Sequence, residues 1–302
     1  MSSVTLWNGR VVERSVWAQR LRDYLELTKP RIATLVLVTV AVGAGVAGWS
    51  WPNPSTLWHA LIGTALVAAS ASTFNQLLER RRDEKMQRTA DRPLVAGRLS
   101  TFDAAVFGTV TIVAGLAYLA VTLNPLTTLS AALTWILYVV VYTPLKVVTP
   151  LNTVVGAVAG ALPVWIGWTA AGGRLDVPAT ALFLIVYLWQ FPHFMAIAWL
   201  YREDYARAGM RMLPVVDPSG CRAGRQAVGA AMALLPVSLV PGMWQVAGVG
   251  LAIWSALWGL GYLAAAIAFA VDCDRTSARR LLRVSLLYLP AVLLPLVLVG
   301  WF

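Results

Sequence analysis

The chain has 302 residues, of which 59% are hydrophobic and 13% charged, and its mean hydropathy is +0.69. Globular domains are about 25% charged, so this composition excludes an ordinary water-facing fold and requires that most of the surface meet lipid. The net charge of +10 suits nucleic acid, anionic lipid or an acidic substrate equally, while two cysteines, Cys221 and Cys273, supply no disulfide framework and no CxxC pair for zinc or haem attachment.

Residues 1–30 form a polar arm. Arg10, Arg14 and Arg22 stand there without the apolar run of a secretory signal, and Glu13, Asp23 and Glu26 are out of keeping with a mitochondrial presequence. Nine apolar stretches follow, separated by Pro, Gly or charge, each near the roughly 20 residues that a bilayer-spanning helix needs. They cover residues 32–49, 57–76, 104–121, 126–142, 153–171, 179–200, 226–243, 247–271 and 285–301. Little chain is left between them, so the expected fold is all-α: one polytopic membrane domain over 1–302, nine transmembrane helices in a single bundle. Gly156 and Gly160, and Gly115 among Ala114 and Ala117, predict close helix approach. Pro163, Pro192 and Pro236 predict kinks inside spans.

With nine spans, 23 of the 24 Lys and Arg fall on the side of the N-terminal arm, and Arg174 alone falls opposite. The carboxylates follow the same division, with Asp176 the exception. By the positive-inside rule the crowded side is cytoplasmic, which puts the N-terminus in the cytoplasm, the C-terminus outside, and the protein in a bacterial-type inner (plasma) membrane. The basic excess is then a property of one membrane face, so nucleic acid is not an expected partner.

The second span runs into a polar segment. Asn75, Glu79 and Asp83 recur at i, i+4 and i+8, which on a helix holds them within about 80° of one another over roughly 12 Å. Two carboxylates and an amide oxygen are hard ligands of the kind Mg²⁺ accepts together with substrate phosphates. Arg88 and Arg92 follow, cations suited to diphosphate oxygens. The same run also suits a solvated topological anchor, because Arg80, Arg81 and Arg82 interrupt it.

At the junction of spans four and five, Lys146 is the lone basic residue of its loop, placed either to snorkel or to bind phosphate. Trp135, Tyr138 and Tyr142 bring aromatic faces to the same boundary, as an interfacial belt or as stabilisers of an allylic carbocation. The sixth span ends in a further polar cluster. His193 and Asp204, eleven residues apart, share a face of an ideal helix, and Glu203 and Asp204 lie at the cytoplasmic level of Glu79 and Asp83, in position to converge on one metal-diphosphate group. An intramembrane histidine is a functional candidate, or else a residue hydrogen-bonded to a neighbouring helix.

Together these segments resemble the UbiA superfamily of intramembrane prenyltransferases. Asn75-xxx-Glu79-xxx-Asp83, Arg88-Thr89 and Arg92-Pro93-Leu94 resemble its first acidic motif and the continuation of that motif. Leu27-Thr28-Lys29-Pro30-Arg31, Tyr142-Thr143 with Lys146 and Thr149-Pro150-Leu151-Asn152, Pro192-His193-Phe194, and Asp204-Tyr205 leading to Met212-Leu213-Pro214-Val215 resemble the protohaem IX farnesyltransferase branch. The resemblance implies a UbiA-type fold and transfer of farnesyl from farnesyl diphosphate to a vinyl group of haem B, with water added. It implies Mg²⁺ on Asn75, Glu79, Asp83 and Asp204, diphosphate on Arg88, Arg92 and Lys146, carbocation stabilisation by Tyr138 and Tyr142, and haem contact by His193. Haem A synthase or oxidase assembly factors are the implied recipients of the product. Many superfamily members carry further spaced carboxylates in the second acidic motif. Here position 208 is Ala, so the resemblance does not extend to a second Mg²⁺.

Three other functions fit parts of the pattern. A quinone-pathway prenyltransferase acting on hydroxybenzoate or a naphthoate differs in its acceptor pocket. A transporter shows inverted repeats and polar broken helices at mid-membrane, and no repeat is apparent here. A haem-bearing electron carrier needs two axial ligands at one level, whereas His59 and His193, the only histidines, belong to opposite halves of the membrane.

Overall fold

The computed structural model describes residues 4–7, 10–13, 16–47, 52–243 and 248–299. The far ends of the predicted spans 32–49, 247–271 and 285–301 lie outside the described residues. A two-stranded antiparallel hairpin, β1 (Val4–Trp7) and β2 (Arg10–Glu13), precedes α1 (Val16–Leu27), and every later element is helical. Among the described residues nine helices are long and apolar enough to cross a membrane, and they coincide with the nine predicted stretches. In order they are α2 (Pro30–Ala47), α3 (Pro54–Asp83), α4 (Thr101–Thr122), α5 (Pro125–Trp135) with its continuation to Leu145, α7 (Asn152–Ala170), α8 (Val177–Leu200), α11 (Cys221–Met243), α12 (Gly248–Asp272) and α13 (Arg275–Val299).

Local chemistry sets where the helices begin. Asn53 and Asn124 accept from the backbone N–H of Ser55 and Thr127 at 2.9 Å, each followed by a proline in the first helical turn. Ser100 caps α4 and Asp176 caps α8 in the same way. These side chains satisfy amides that the first helical turn leaves without a partner. The helices run unbroken through Pro163, Pro192 and Pro236.

The spans form two packed groups, α2 to α5 with α7, and α8 with α11 to α13, joined where α7 meets α8 and α13 meets α2. In the centre α7 is largely buried, whereas the other spans present rows such as Ile32, Leu35 and Val38, or Val106, Val110 and Val113, to the outside. Without a hydrophobic drive between helices in lipid, close backbone approach has to come from small residues. At the α2–α7 crossing a Cβ on Gly43 would lie 2.2 Å from the Val164 carbonyl oxygen, and one on Gly167 would lie 1.8 Å from that of Val40. Gly115 packs similarly against Val67 of α3. Gly156 and Gly160 serve another purpose, because the space they leave holds the Tyr142 ring and the Gln190 amide rather than a neighbouring backbone.

Gly167→Val should abolish recovery of folded, monodisperse protein in detergent, since the obstructing atoms are backbone. Gly261→Ala, where a Cβ meets nothing within 4 Å, should be neutral or raise the melting temperature slightly, in line with the ~1 kcal/mol advantage of Ala in a helix.

Candidate active site

Helix α3 is 30 residues long, about 45 Å at 1.5 Å per residue, and so outreaches a hydrocarbon core of about 30 Å. Its last two turns carry Glu79 and Asp83 beyond the predicted span end at residue 76, with Asn75 just before it. Asn75 is 1% exposed, Glu79 4% and Asp83 0%, whereas the intervening Arg81 is exposed. Burial of both carboxylates is the opposite of what a solvated charge run would show.

Each member of the stripe is met by a cation from a different part of the chain. Lys29 Nζ donates to Asn75 Oδ1 at 2.6 Å, Lys146 Nζ lies 2.7 Å from Glu79 Oε1, and Arg92 donates to Asp83 Oδ2 at 2.5 Å. Two carboxylates thus face three basic side chains in this cluster. Asp83 Oδ1 is buried and has no hydrogen-bond partner.

The cations are placed by local backbone geometry. Lys29 has φ 51°, a left-handed conformation that costs a non-glycine residue roughly 1–2 kcal/mol. It turns the chain between α1 and α2 while Gln76 Nε2 holds the Leu27 carbonyl at 2.7 Å. Arg92 is brought back by the loop after α3, which Thr89 closes through its hydroxyl bond to the Asp83 carbonyl at 2.8 Å. Lys146 follows a π-helical segment (Ile136–Tyr142) and a short α6 (Thr143–Leu145), and such π-turns occur frequently at functional sites. The wider turn lets the Thr143 hydroxyl bond the Tyr138 carbonyl five residues back at 2.8 Å, while its oxygen accepts from Asn75 Nδ2 at 3.1 Å.

This segment also lays the Tyr138 and Tyr142 rings together, with centroids 5.4 Å apart. The Lys146 ammonium sits 4.6 Å from the Tyr142 ring centroid. Burial pulls the Lys146 ammonium down, but the Glu79 carboxylate and the Tyr142 and Tyr138 hydroxyls outweigh it and raise its pKa, so it stays charged. Lys29 behaves in the opposite way. Burial, reinforced by Arg92, lowers it to about 7 against the weaker pull of Glu79.

The second acidic segment reaches this cluster through packing. Met86 of the loop after α3 joins Ala198, Ala208, Met210 and Met212, flanked by Val147 and Tyr205. The Arg211 N–H donates to the Lys146 carbonyl at 2.6 Å, and Arg88 lies 5.2 Å over the Tyr201 ring. Ala208 is buried among these methionines, so a carboxylate there would lack a partner. Between α9 (Arg202–Arg207) and α11 the chain forms the short α10 (Leu213–Val216).

Not all predicted residues converge. Asp204 pairs with Arg207 of its own helix, Glu203 is exposed beside Arg202, and among the described residues no three His, Cys, Asp or Glu side chains gather as a metal group. The shared face expected for His193 and Asp204 is not formed either, because α8 ends at Leu200 and Tyr201, with φ −112° and ψ 20°, breaks the helix before α9. His193 instead faces α13, its Nδ1 2.8 Å from Ser285 Oγ and its ring stacked on Trp189 at 4.9 Å. His59 pairs separately with Tyr118. Lys29 and Thr143 join this cluster through Asn75 although spacing arguments missed them; both lie in segments that carried the family resemblance.

Residues 36–300 match the sequence pattern of the UbiA prenyltransferase family. A protoheme IX farnesyltransferase of Koribacter versatilis (strain Ellin345) is 43% identical over 300 residues, covering 96% of each chain. The fold is similar to that of a digeranylgeranylglyceryl phosphate synthase, with a TM-score of 0.80 at 16% identity over 93% of this chain and 99% of that one. It is also similar to a UbiA homologue from Archaeoglobus fulgidus bound to GPP and Mg²⁺, with a TM-score of 0.68 at 18% identity over 91% and 99%.

Breaking one partner of a buried ion pair costs roughly 3–5 kcal/mol, because the other charge is left uncompensated. Lys146→Met should therefore lower the melting temperature of the solubilised protein clearly. The double variant Lys146→Met, Glu79→Gln should recover most of that loss, a coupling that thermal unfolding of the four-member cycle measures.

Proposed function

The chain belongs to the UbiA prenyltransferase family, and we propose that it joins the farnesyl group of farnesyl diphosphate to protohaem IX, using the buried end of α3 to release diphosphate. It is a multi-pass membrane enzyme that transfers prenyl groups. The name of its 43% identical relative supports protohaem as acceptor and farnesyl as donor. The observation that carries the site assignment is the run of three buried oxygen donors, each facing its own cation.

The difficult event is heterolysis of an allylic C–O bond in a medium of low dielectric constant. Charge that develops on the departing diphosphate needs preorganised partners. Lys29, Lys146 and Arg92 are already held at the site, and Arg88 stands at its margin. Asn75, Glu79 and Asp83 fit a divalent ion, since Mg²⁺ commonly takes one or two carboxylates and completes its shell with water and phosphate, and the buried Asp83 Oδ1 is free to accept it. Mg²⁺ bound there would neutralise diphosphate charge. Asp204 would join this set only by exchanging Arg207 for the metal.

The prenyl tail lies among apolar helices, where water is excluded from the allylic cation. Tyr138 and Tyr142 offer ring faces to that cation, and the ammonium already resting on Tyr142 illustrates the affinity of that ring for positive charge. The haem vinyl carbon forms the new bond to farnesyl C1, diphosphate departs with the electron pair of the broken C–O bond, and water adds to the resulting cation with loss of a proton. For haem contact we assign His193, whose Nδ1 bond to Ser285 leaves Nε2 for the acceptor. The site is assigned to the cytoplasmic face of a plasma membrane, in keeping with 23 of 24 basic residues on that side. The chain acts as one domain over 1–302, and its product passes to haem A synthase or oxidase assembly factors.

Glu79→Gln and Asp83→Asn should each lower haem O formation in reconstituted membranes by roughly 10²–10³, the scale expected for a transition-state electrostatic contact, as read by mass analysis of extracted haem. Unchanged product formation would rule out the α3 stripe as the diphosphate site. His193→Ala should weaken haem binding about tenfold or more in a spectral titration while leaving farnesyl diphosphate binding intact; an unchanged haem titration removes His193 from the acceptor site.

A further inference from the structure

Helix α1 lies outside the nine spans, yet it presents three large apolar side chains to its surroundings. Trp17 is 80% exposed, Leu21 63% and Leu25 54%. At i, i+4 and i+8 they form one stripe within about 80° of arc. The opposite face is buried against the protein, with Asp23 3% and Leu27 0% exposed. Arg98 fixes that face, its Nε 2.8 Å from Asp23 Oδ1 and its Nη2 2.7 Å from Glu26 Oε2.

The depth of α1 follows from what it touches. Arg20 pairs with Asp103 at 3.3 Å, and the Tyr24 ring packs on that of Phe107 at 5.1 Å. Asp103 and Phe107 occupy the first two turns of the spanning helix α4, whose Phe102, Val106 and Val110 are 74%, 45% and 59% exposed. Helix α1 therefore crosses the cytoplasmic end of a span at the level where lipid-facing side chains begin. Its own chain enters α2 three residues after Leu27, where Ile32 and Leu35 continue the exposed apolar surface.

We propose that α1 is seated in the cytoplasmic interface of the bilayer, with its Trp17–Leu21–Leu25 face in lipid of the membrane that the spans cross. The assignment rests on continuity with that lipid-facing surface. The charge pattern agrees: Arg20 and Arg22 project about 100° to either side of the stripe, Arg20 held on Asp103 and Arg22 placed where a cationic head reaches anionic headgroups while its stem lies on apolar surface. A tryptophan at the rim is the residue most suited to this depth. Within the polar arm expected from sequence, α1 is thus a membrane-bound helix, and it ends two residues before Lys29.

The test uses the full chain in proteoliposomes containing anionic lipid, with Cys221→Ser and Cys273→Ser as background. An environment-sensitive fluorophore is attached at Leu21→Cys, and in a second variant at Trp17→Cys. Ile32→Cys serves as lipid reference and Glu203→Cys, 80% exposed, as water reference. Emission at positions 17 and 21 is expected to be blue-shifted, and quenching by shallow doxyl-labelled lipid at least twofold stronger than at position 203. Iodide quenching equal to that at position 203 would overturn the proposal by showing a face open to water. Protection from both quenchers would overturn it as well, by showing that a second copy of the chain covers the stripe.

Discussion

Two carboxylates buried at the end of a transmembrane helix constrain the whole end of the bundle that carries them. Taking Glu79 and Asp83 out of water costs several kcal/mol each unless opposite charge is close. Lys146 and Arg92 supply it at 2.7 and 2.5 Å, and Lys29 completes the row on Asn75. These cations come from the α1–α2 turn, the loop after α3 and the end of the fourth span. The cluster therefore ties together segments that apolar packing alone would leave free to move past one another.

Glycine positions decide how that cluster is framed. Gly43 and Gly167 bring α2 against α7 backbone to backbone, while Gly156 leaves the volume that the Tyr142 ring fills. The π-helical turn before Lys146 supplies the remaining adjustment: it sets Tyr138 and Tyr142 in contact and aims Thr143 at Asn75. Electrostatics selects the partners, and small residues let the backbone bring them within reach.

The nine spans and the helical spacing of Asn75, Glu79 and Asp83 were legible in the sequence because both depend on local periodicity. The part of α3 beyond residue 76 was less so, since hydropathy falls where Arg80 to Arg82 begin although the helix continues to Asp83. Lys29 could not be found by spacing: its role depends on a left-handed turn that brings residue 29 to residue 75. Asp204 and His193 went the other way. An ideal helix would align them, but the break at Tyr201 separates the two faces, and Arg207 and Ser285 claim the side chains. Helix ends and long-range partners depend on the completed fold, and no window of sequence contains them.

Helix α3 runs without interruption from its Asn53 cap to Asp83, so the stripe is phased by residue count from a point near the opposite membrane face. One residue inserted anywhere between Pro54 and Phe74 would rotate Asn75, Glu79 and Asp83 by about 100°, turning them away from Lys29, Lys146 and Arg92 together. The connection at residues 171–176, by contrast, joins two helices whose caps restart the phase, and insertions there leave the stripe where it is. The length of α3 is therefore held fixed by chemistry at its far end.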